Sequence, residues 1–252
     1  MSAARMDVVK RPVRAAVYTG TRNVYESMLT ASKSLIANAA IDKVYFLIED
    51  DEFPSELPPI VETRNISGQE WFPEGGPNYG NRWTYMILVR AAFSKLFPEL
   101  DTILSLDVDT IVTKDISDLW ELPVCMDDFY VAACREPKKS DGMLYFNAGV
   151  MLLNLKKLRE TGMDDLLIID LNANRYGFCE QDCMNKHFQR HILKIPAEYN
   201  ANAFTEETKT IRVMHYAAVR DWSGMPLVTH YRDMDWKEVL ERRQRMLSAI
   251  AD

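Results

Sequence analysis

The chain has 252 residues, 47% hydrophobic and 10% aromatic, and its 30 Lys and Arg against 37 Asp and Glu leave a net charge of −7. This composition excludes disordered, collagen-like and coiled-coil classes, and the length suits one large domain spanning residues 1–252. With no long basic block, stable nucleic-acid binding is not expected, because such affinity comes from Lys and Arg displacing condensed counterions; one diphosphate needs only a local cation.

Residues 1–14 carry Arg5, Lys10, Arg11 and Arg14 but no signal-peptide core, and no window is apolar enough to span a membrane. The expected location is the cytoplasm. Ala15 to Thr19 is a short apolar run stopped by Gly20, and Tyr25, Met28, Leu29, Leu35 and Ile36 then recur at helical spacing to Asn38. Strand, turn and helix follow in that order. Val44 to Ile48 predicts a second strand and Ile60 to Ile66 a third, so a parallel sheet is expected. The loop from Ser67 to Asn81 holds Trp71, Phe72 and Tyr79, which suits a segment folding over a ligand. Ile87, Leu88, Ala91, Ala92 and Leu96 predict a helix ending before Pro98, followed by the buried strand Thr102 to Leu106. Strands over Tyr130 to Cys134 and Gly149 to Leu153 come next. Helical segments over Leu155 to Asn172 and Gln181 to Gln189 follow, then short strands near Ile192 to Ile195 and Arg212 to Met214. A last helix, Trp236 to Ile250 within residues 231–252, is expected to turn Trp236, Val239, Leu240, Leu247 and Ile250 inward and to pack on the domain. The pattern is α/β with a mostly parallel sheet.

Leu104-Ser105-Leu106-Asp107-Val108-Asp109 delivers two carboxylates from the end of an apolar strand, and period-two geometry aims both the same way. Ligands of open α/β sheets gather at such strand ends. Two converging carboxylates repel unless a divalent cation or a proton lies between them, although an isolated Asp-x-Asp is as often an acidic turn. His215 ends the apolar strand Val213 to Tyr216, and Asp, Asp and neutral imidazole together suit Mn²⁺ or a similar ion. His187, His191 and His230 read as surface residues. Cys125, Cys134, Cys179 and Cys183 include no Cys-x-x-Cys pair and read as reduced, non-structural thiols. A haloacid-dehalogenase-type phosphatase also begins from Asp-x-Asp after a strand, but that motif opens its chain, whereas this one follows more than a hundred residues; Asp127-Asp128 and Asp164-Asp165 have no clear strand-end context. Gly75 to Gly80 has P-loop glycine spacing but continues as Asn81-Arg82 instead of Lys and Ser or Thr.

Five stretches in order resemble the successive motifs of glycosyltransferase family 8, to which glycogenin and bacterial lipopolysaccharide galactosyl- and glucosyltransferases belong. They are Leu88 to Pro98, Ile103 to Val112, Tyr145 to Leu155, Glu180-Gln181-Asp182 and His215-Tyr216, and the resemblance runs from about Ala15 to Trp222. It implies a GT-A fold with a small C-terminal helical extension, a nucleotide-sugar donor such as UDP-glucose or UDP-galactose, and Mn²⁺ (or Mg²⁺). Hexose transfer to an acceptor hydroxyl would retain the anomeric configuration. By the same resemblance Asp107, Asp109 and His215 hold the metal. Gln181, Glu180 and Asn147 line the donor sugar, with Gln181 beneath the anomeric carbon and Asp182 orienting the loop. Arg90 supports the phosphates or sugar, and Tyr18, Thr19, Asn23 and Val108 fall at nucleotide-binding positions, with Tyr18 and Thr19 holding the uracil by stacking and backbone hydrogen bonds.

Two departures stand out. The turn Gly20-Thr21-Arg22-Asn23 lacks the acidic residue the family commonly places there, and Ala217 to Trp222 replaces the usual Gly and Lys-Pro-Trp, leaving Arg220 as the substitute cation. These motivate a second reading, a sugar-nucleotide-binding protein without turnover. Arg242, Arg243 and Arg245 are interleaved with Glu238 and Glu241, which favours a glycan, protein or small-molecule acceptor over a lipid surface. Association into a homo-oligomer is left open.

Overall fold

The computed structural model describes residues 11–81, 83–122, 129–136, 145–202 and 210–251; Cys125 and the Asp127-Asp128 pair lie outside them. In chain order the first half contains β1 (Ala15–Thr19), α1 (Tyr25–Asn38), β2 (Lys43–Ile48), β3 (Val61–Asn65), α2 (Phe93–Leu96), β4 (Thr102–Leu106), β5 (Thr110–Val112) and β6 (Val131–Arg135). Then follow β7 (Phe146–Asn154), α3 (Leu155–Thr161), α4 (Met163–Ala173), α5 (Cys179–Phe188), β8 (Ile192–Lys194), β9 (Val213–His215), α6 (Pro226–Asp233) and α7 (Trp236–Ala251).

Seven strands form one sheet in the order β3-β2-β1-β4-β7-β6-β8. Only β7 runs against the others, so the sheet is mixed but mostly parallel. Because helices cover both faces, its central strands are continuous apolar runs rather than alternating ones. β1 divides its side chains by the period of two: Ala16 and Tyr18 join the core against α1, α6 and α7, while Ala15 and Val17 join the opposite core against α2 to α5. The strand order reverses between β1 and β4, and the crevice beyond their carboxyl ends is where this architecture places a ligand. β5 and β9 form a separate antiparallel pair beside that crevice.

Two segments differ from the sequence expectation. The helix predicted to end before Pro98 is wound as a 3₁₀ helix from Tyr85 to Ala92 before it relaxes into α2. The helical stretch after β7 breaks at Gly162, whose φ of +67° caps α3 in the left-handed region open to glycine. The loop from Ser67 to Asn81 is anchored: Phe72 and Asn78 are buried, and Asn78 bonds Leu171 and Asn174 carbonyls and the Tyr176 N–H.

The C-terminal extension is two helices, α6 and α7, both lying on α1. Val239 is buried, but Leu240 and Ile250 are exposed, because the α1 contact covers a narrower stripe than the helical pattern of apolar residues suggests. Arg243 donates to the Ile36, Ala39 and Ile41 carbonyls at the end of α1, and Arg242 donates to the Asn38 side chain at 2.9 Å. Arg243 thus satisfies backbone carbonyls left open where α1 ends, and Arg242 holds the side chain of the last α1 residue. Among the described residues no helix is long and apolar enough to cross a membrane.

Candidate active site

β4 carries the chain out of the core to Asp107, whose N–H donates to the Gly149 carbonyl at 2.9 Å. The strand stops there. The Thr110 N–H and hydroxyl donate to the Asp107 carbonyl at 3.2 and 2.6 Å, closing a turn around Val108 and Asp109. The two carboxylates therefore converge through a tight turn, not through the extended alternation that the sequence suggested. Beyond the turn Thr110 pairs with His215 across β5 and β9, and the Tyr216 N–H donates to the Asp109 carbonyl at 3.0 Å. This small sheet brings His215 to the aspartates from a hundred residues away.

His215 Nε2 lies 3.2 Å from Asp109 Oδ1 and 3.5 Å from Asp107 Oδ2, and the three donor groups fall within 4.8 Å of one another. Burial opposes charge on His215, but the two carboxylates overcome it and raise its pKa; burial likewise opposes charge on Asp109, yet His215 and Arg90 hold its carboxyl below the usual range. Two carboxylate oxygens and one imidazole nitrogen, with no thiol among them, are a donor set that fits Mn²⁺ or Mg²⁺.

Behind this trio a chain of amides runs inward. His215 Nδ1 is 2.8 Å from Asn200 Oδ1, the Asn200 amide donates to Asn147 Oδ1 at 2.8 Å, and Asn147 donates to Glu136 at 2.8 Å. Gly149 is needed for this packing, since a Cβ there would lie 2.2 Å from His215 Cε1 and 2.9 Å from Asn147 Oδ1. His215 is 3% exposed and cannot step aside. Gly149→Ala is expected to displace the imidazole, weakening Mn²⁺ binding and destabilising the fold by about 1–3 kcal/mol, as overpacking does. Metal titration beside a urea melt measures both.

Arg90 is 5% exposed and lies beneath the site. It is ion-paired to Asp107, while Nη1 donates to Glu180 at 3.2 Å and to the Ala148 carbonyl at 3.4 Å. Gln181 accepts from the Ala148 N–H at 2.8 Å and donates to the Tyr145 hydroxyl at 3.1 Å, and Tyr145 in turn donates to Asp182 at 2.5 Å. Asp182 also accepts from the Phe178 N–H at 2.8 Å, which fixes the entry to α5. Gln181, Glu180, Asn147, Asp182 and Arg90 are thus contiguous with the trio.

Burial pushes the Glu180 carboxyl up to about 7; Arg90 pulls it down, but it is shared with Asp107, whose own charge adds to the rise. A folded value above the unfolded ~4.3 means that the native state holds this proton more tightly. The associated stability is full below pH ~4.3 and is lost as pH rises through about 7. Glu180→Gln is neutral throughout, so the metal-free variant should match wild type near pH 4 and exceed it near pH 8 by roughly 3 kcal/mol. Urea unfolding at the two pH values tests this.

Of the positions expected to bind the nucleotide, Thr19 ends β1 beside the crevice, and Val108 is half-buried in the turn between Asp107 and Asp109. The Tyr18 ring is fully buried and packs edge-on against Phe46 at 6.1 Å, so it has no face on which uracil could stack; only its backbone is available. Asn23 is exposed and bonded to Thr21, and Arg220 is exposed on the turn after β9. His187, read from sequence as a surface residue, lies 2.5 Å from Asp170, which also accepts from Tyr176 at 2.6 Å and Lys186 at 2.8 Å. With these groups around Asp170 and burial pushing the Cys183 thiol up to about 12, this second Asp, Cys and His cluster braces α4 to α5 and is a poor metal site. Asn200, Glu136 and Tyr145 escaped the sequence reading. Tyr145 at least opens a recognised motif, whereas nothing local marks Asn200 or Glu136.

The family model described as glycosyl transferase family 8 matches residues 51–224. Glycosyltransferase GlyE of Streptococcus pneumoniae is 27% identical over 247 residues, covering 92% of this chain and 59% of that protein. Lipopolysaccharide 1,2-glucosyltransferase of Escherichia coli is 29% identical over 181 residues, covering 58% of this chain and 54% of that protein. The chain therefore spans less than two thirds of these relatives. The crystal structure of GlyE superposes with a TM-score of 0.70 at 23% identity, covering 91% of this chain and 62% of that one. That of the galactosyltransferase LgtC with donor and acceptor sugar analogues gives 0.64 at 18% identity, covering 90% of this chain and 99% of that one. These likenesses establish the GT-A fold.

Proposed function

The chain belongs to glycosyl transferase family 8, and from that premise we propose that it moves a hexose from UDP-glucose or UDP-galactose to an acceptor hydroxyl with retention at the anomeric carbon. The observation that carries this reading is the convergence of Asp107, Asp109 and His215 Nε2 at the end of β4, beside the strand-order reversal. Mn²⁺ (or Mg²⁺) held there would neutralise charge on the departing diphosphate. Arg90 would act beneath the site, orienting Asp107 and offsetting carboxylate repulsion. Arg220, Asn23, Val108, Thr19 and the Tyr18 backbone would contact the nucleotide. Asn147 and Gln181 would line the sugar, with Asp182 setting the loop.

Glu180 is poorly placed to attack the sugar, being 3% exposed with one oxygen held by Arg90. Departure and attack on the same face, with Gln181 stabilising positive charge, fits better than a double displacement. A groove of about 730 Å³ beside α5, lined by Asn78, Asn81, Trp83, Tyr176 and Phe178, is our assignment for the acceptor, whether glycan, protein or small molecule. The proposal includes a cytoplasmic location.

Incubation with UDP-glucose and UDP-galactose in the presence of Mn²⁺ tests the reading. Release of UDP, with NMR showing an unchanged anomeric configuration in the product, is the expected result. UDP binding without turnover of any donor would select the binding-protein reading instead.

A further inference from the structure

The orientation of every group behind His215 follows from one backbone hydrogen. Gly149 N–H can only donate, and it points at Asn147 Oδ1 at 2.9 Å, so that atom must be the amide oxygen. The other end of the Asn147 amide agrees independently, since its nitrogen lies 2.8 Å from the acceptor-only carboxylate of Glu136. With Asn147 Oδ1 fixed as an acceptor, the Asn200 atom 2.8 Å away must be Nδ2, which turns Asn200 Oδ1 toward His215. An amide oxygen facing Nδ1 at 2.8 Å requires a hydrogen on Nδ1. In the neutral ring the lone pair therefore sits on Nε2, the atom facing Asp107 and Asp109.

The geometry assigns Asn200 as the positioning residue of the metal centre: its amide, polarised through Asn147 by Gly149 N–H and Glu136, sets the His215 tautomer and ring orientation that ligation needs. Asn200 is 2% exposed, so water cannot take over its role, and Asn147 ties the same relay to the wall proposed for the donor sugar. The inference rests on the metal reading proposed above, and its test is separable from that reading.

Ring ¹⁵N correlation spectra of histidine-labelled wild-type protein give the direct measurement. With Mg²⁺ bound, His215 should carry its hydrogen on Nδ1; the neutral ring of the metal-free protein at alkaline pH should do the same. A hydrogen on Nε2 in either state overturns the assignment, without needing any variant to fold. Failure of wild type to bind Mn²⁺ or Mg²⁺ would instead overturn the functional reading, while the metal-free spectrum still tests Asn200.

Two variants separate this role from general packing, with Mn²⁺ affinity read by electron paramagnetic resonance. Asn200→Ala removes the acceptor and should weaken Mn²⁺ binding about 10–100-fold, the usual cost of losing such a partner. Asn200→Asp is isosteric and, with its carboxyl protonated, still donates to Asn147 Oδ1 while keeping an oxygen toward Nδ1–H, so it should stay closer to wild type than Asn200→Ala. Equal weakening in both variants, or wild-type affinity in Asn200→Ala, would show that the hydrogen bond to His215 does not control ligation.

Discussion

Asp109→Asn should lower Mn²⁺-dependent UDP affinity at least about a hundredfold and remove nearly all turnover, while the protein still unfolds within about 1 kcal/mol of wild type. Removing a group that merely supports a ligand already costs 10–100-fold, and Asp109 would be a ligand itself, so the estimate is a lower bound. The fold should tolerate the change because the part of Asp109 that holds the turn together is its carbonyl, which accepts from Tyr216 N–H and is untouched. The side chain, 24% exposed, faces the crevice and not the apolar core. The ion pair with His215 is lost, but so is repulsion from Asp107, and the two changes oppose each other. Calorimetric titration of UDP with and without Mn²⁺, beside a urea melt, measures both quantities. Wild-type Mn²⁺ affinity in the variant would remove Asp109 from the metal site.

The Asp107, Asp109 and His215 cluster was legible as a cluster because its two halves carry strong local signals: a buried strand ending in alternate carboxylates, and a histidine closing another apolar run. What sequence could not supply was the cause of their convergence. Asp107 and Asp109 meet through a turn closed by Thr110, and His215 arrives through a strand pairing that no period within either segment reveals. Tyr18 shows the opposite failure. In a strand buried on both faces every position is apolar, so the pattern hides that Tyr18 shares the Ala16 face and points into the core beneath α1. His187 was misjudged for a related reason. A histidine on a polar helix is normally solvated, and what draws this one partly inward is a carboxylate from another element, Asp170. The Asn200–Asn147 pair spans 53 positions and two neutral amides, a contact to which neither charge nor hydrophobic periodicity gives any clue.

Gln181 separates chemistry from binding. Its amide oxygen holds the Ala148 N–H and one amide hydrogen goes to Tyr145, which leaves a second N–H that the proposed role would direct at the sugar. If the amide acts only as positive charge develops on the sugar, Gln181→Ala should lower kcat on the order of a hundredfold with UDP-sugar affinity little changed, since only interactions that strengthen in the transition state accelerate the step. The loss should be partial. An obligatory nucleophile would leave almost no activity, whereas a positioned dipole leaves the metal and the nucleotide contacts to act without it. Gln181→Glu sharpens the distinction because it preserves the acceptor for Ala148 N–H, and with it the position of Asn147 and Gly149, while removing the amide's hydrogens. Recovery of donor affinity in Gln181→Glu, if Gln181→Ala has lost some, would trace that loss to the displaced segment and leave the kcat effect to the amide. Complete inactivation with a glycosyl adduct trapped on Gln181 or Glu180 would overturn same-face departure and attack. An unaltered kcat in Gln181→Ala would move the reacting carbon away from α5 altogether.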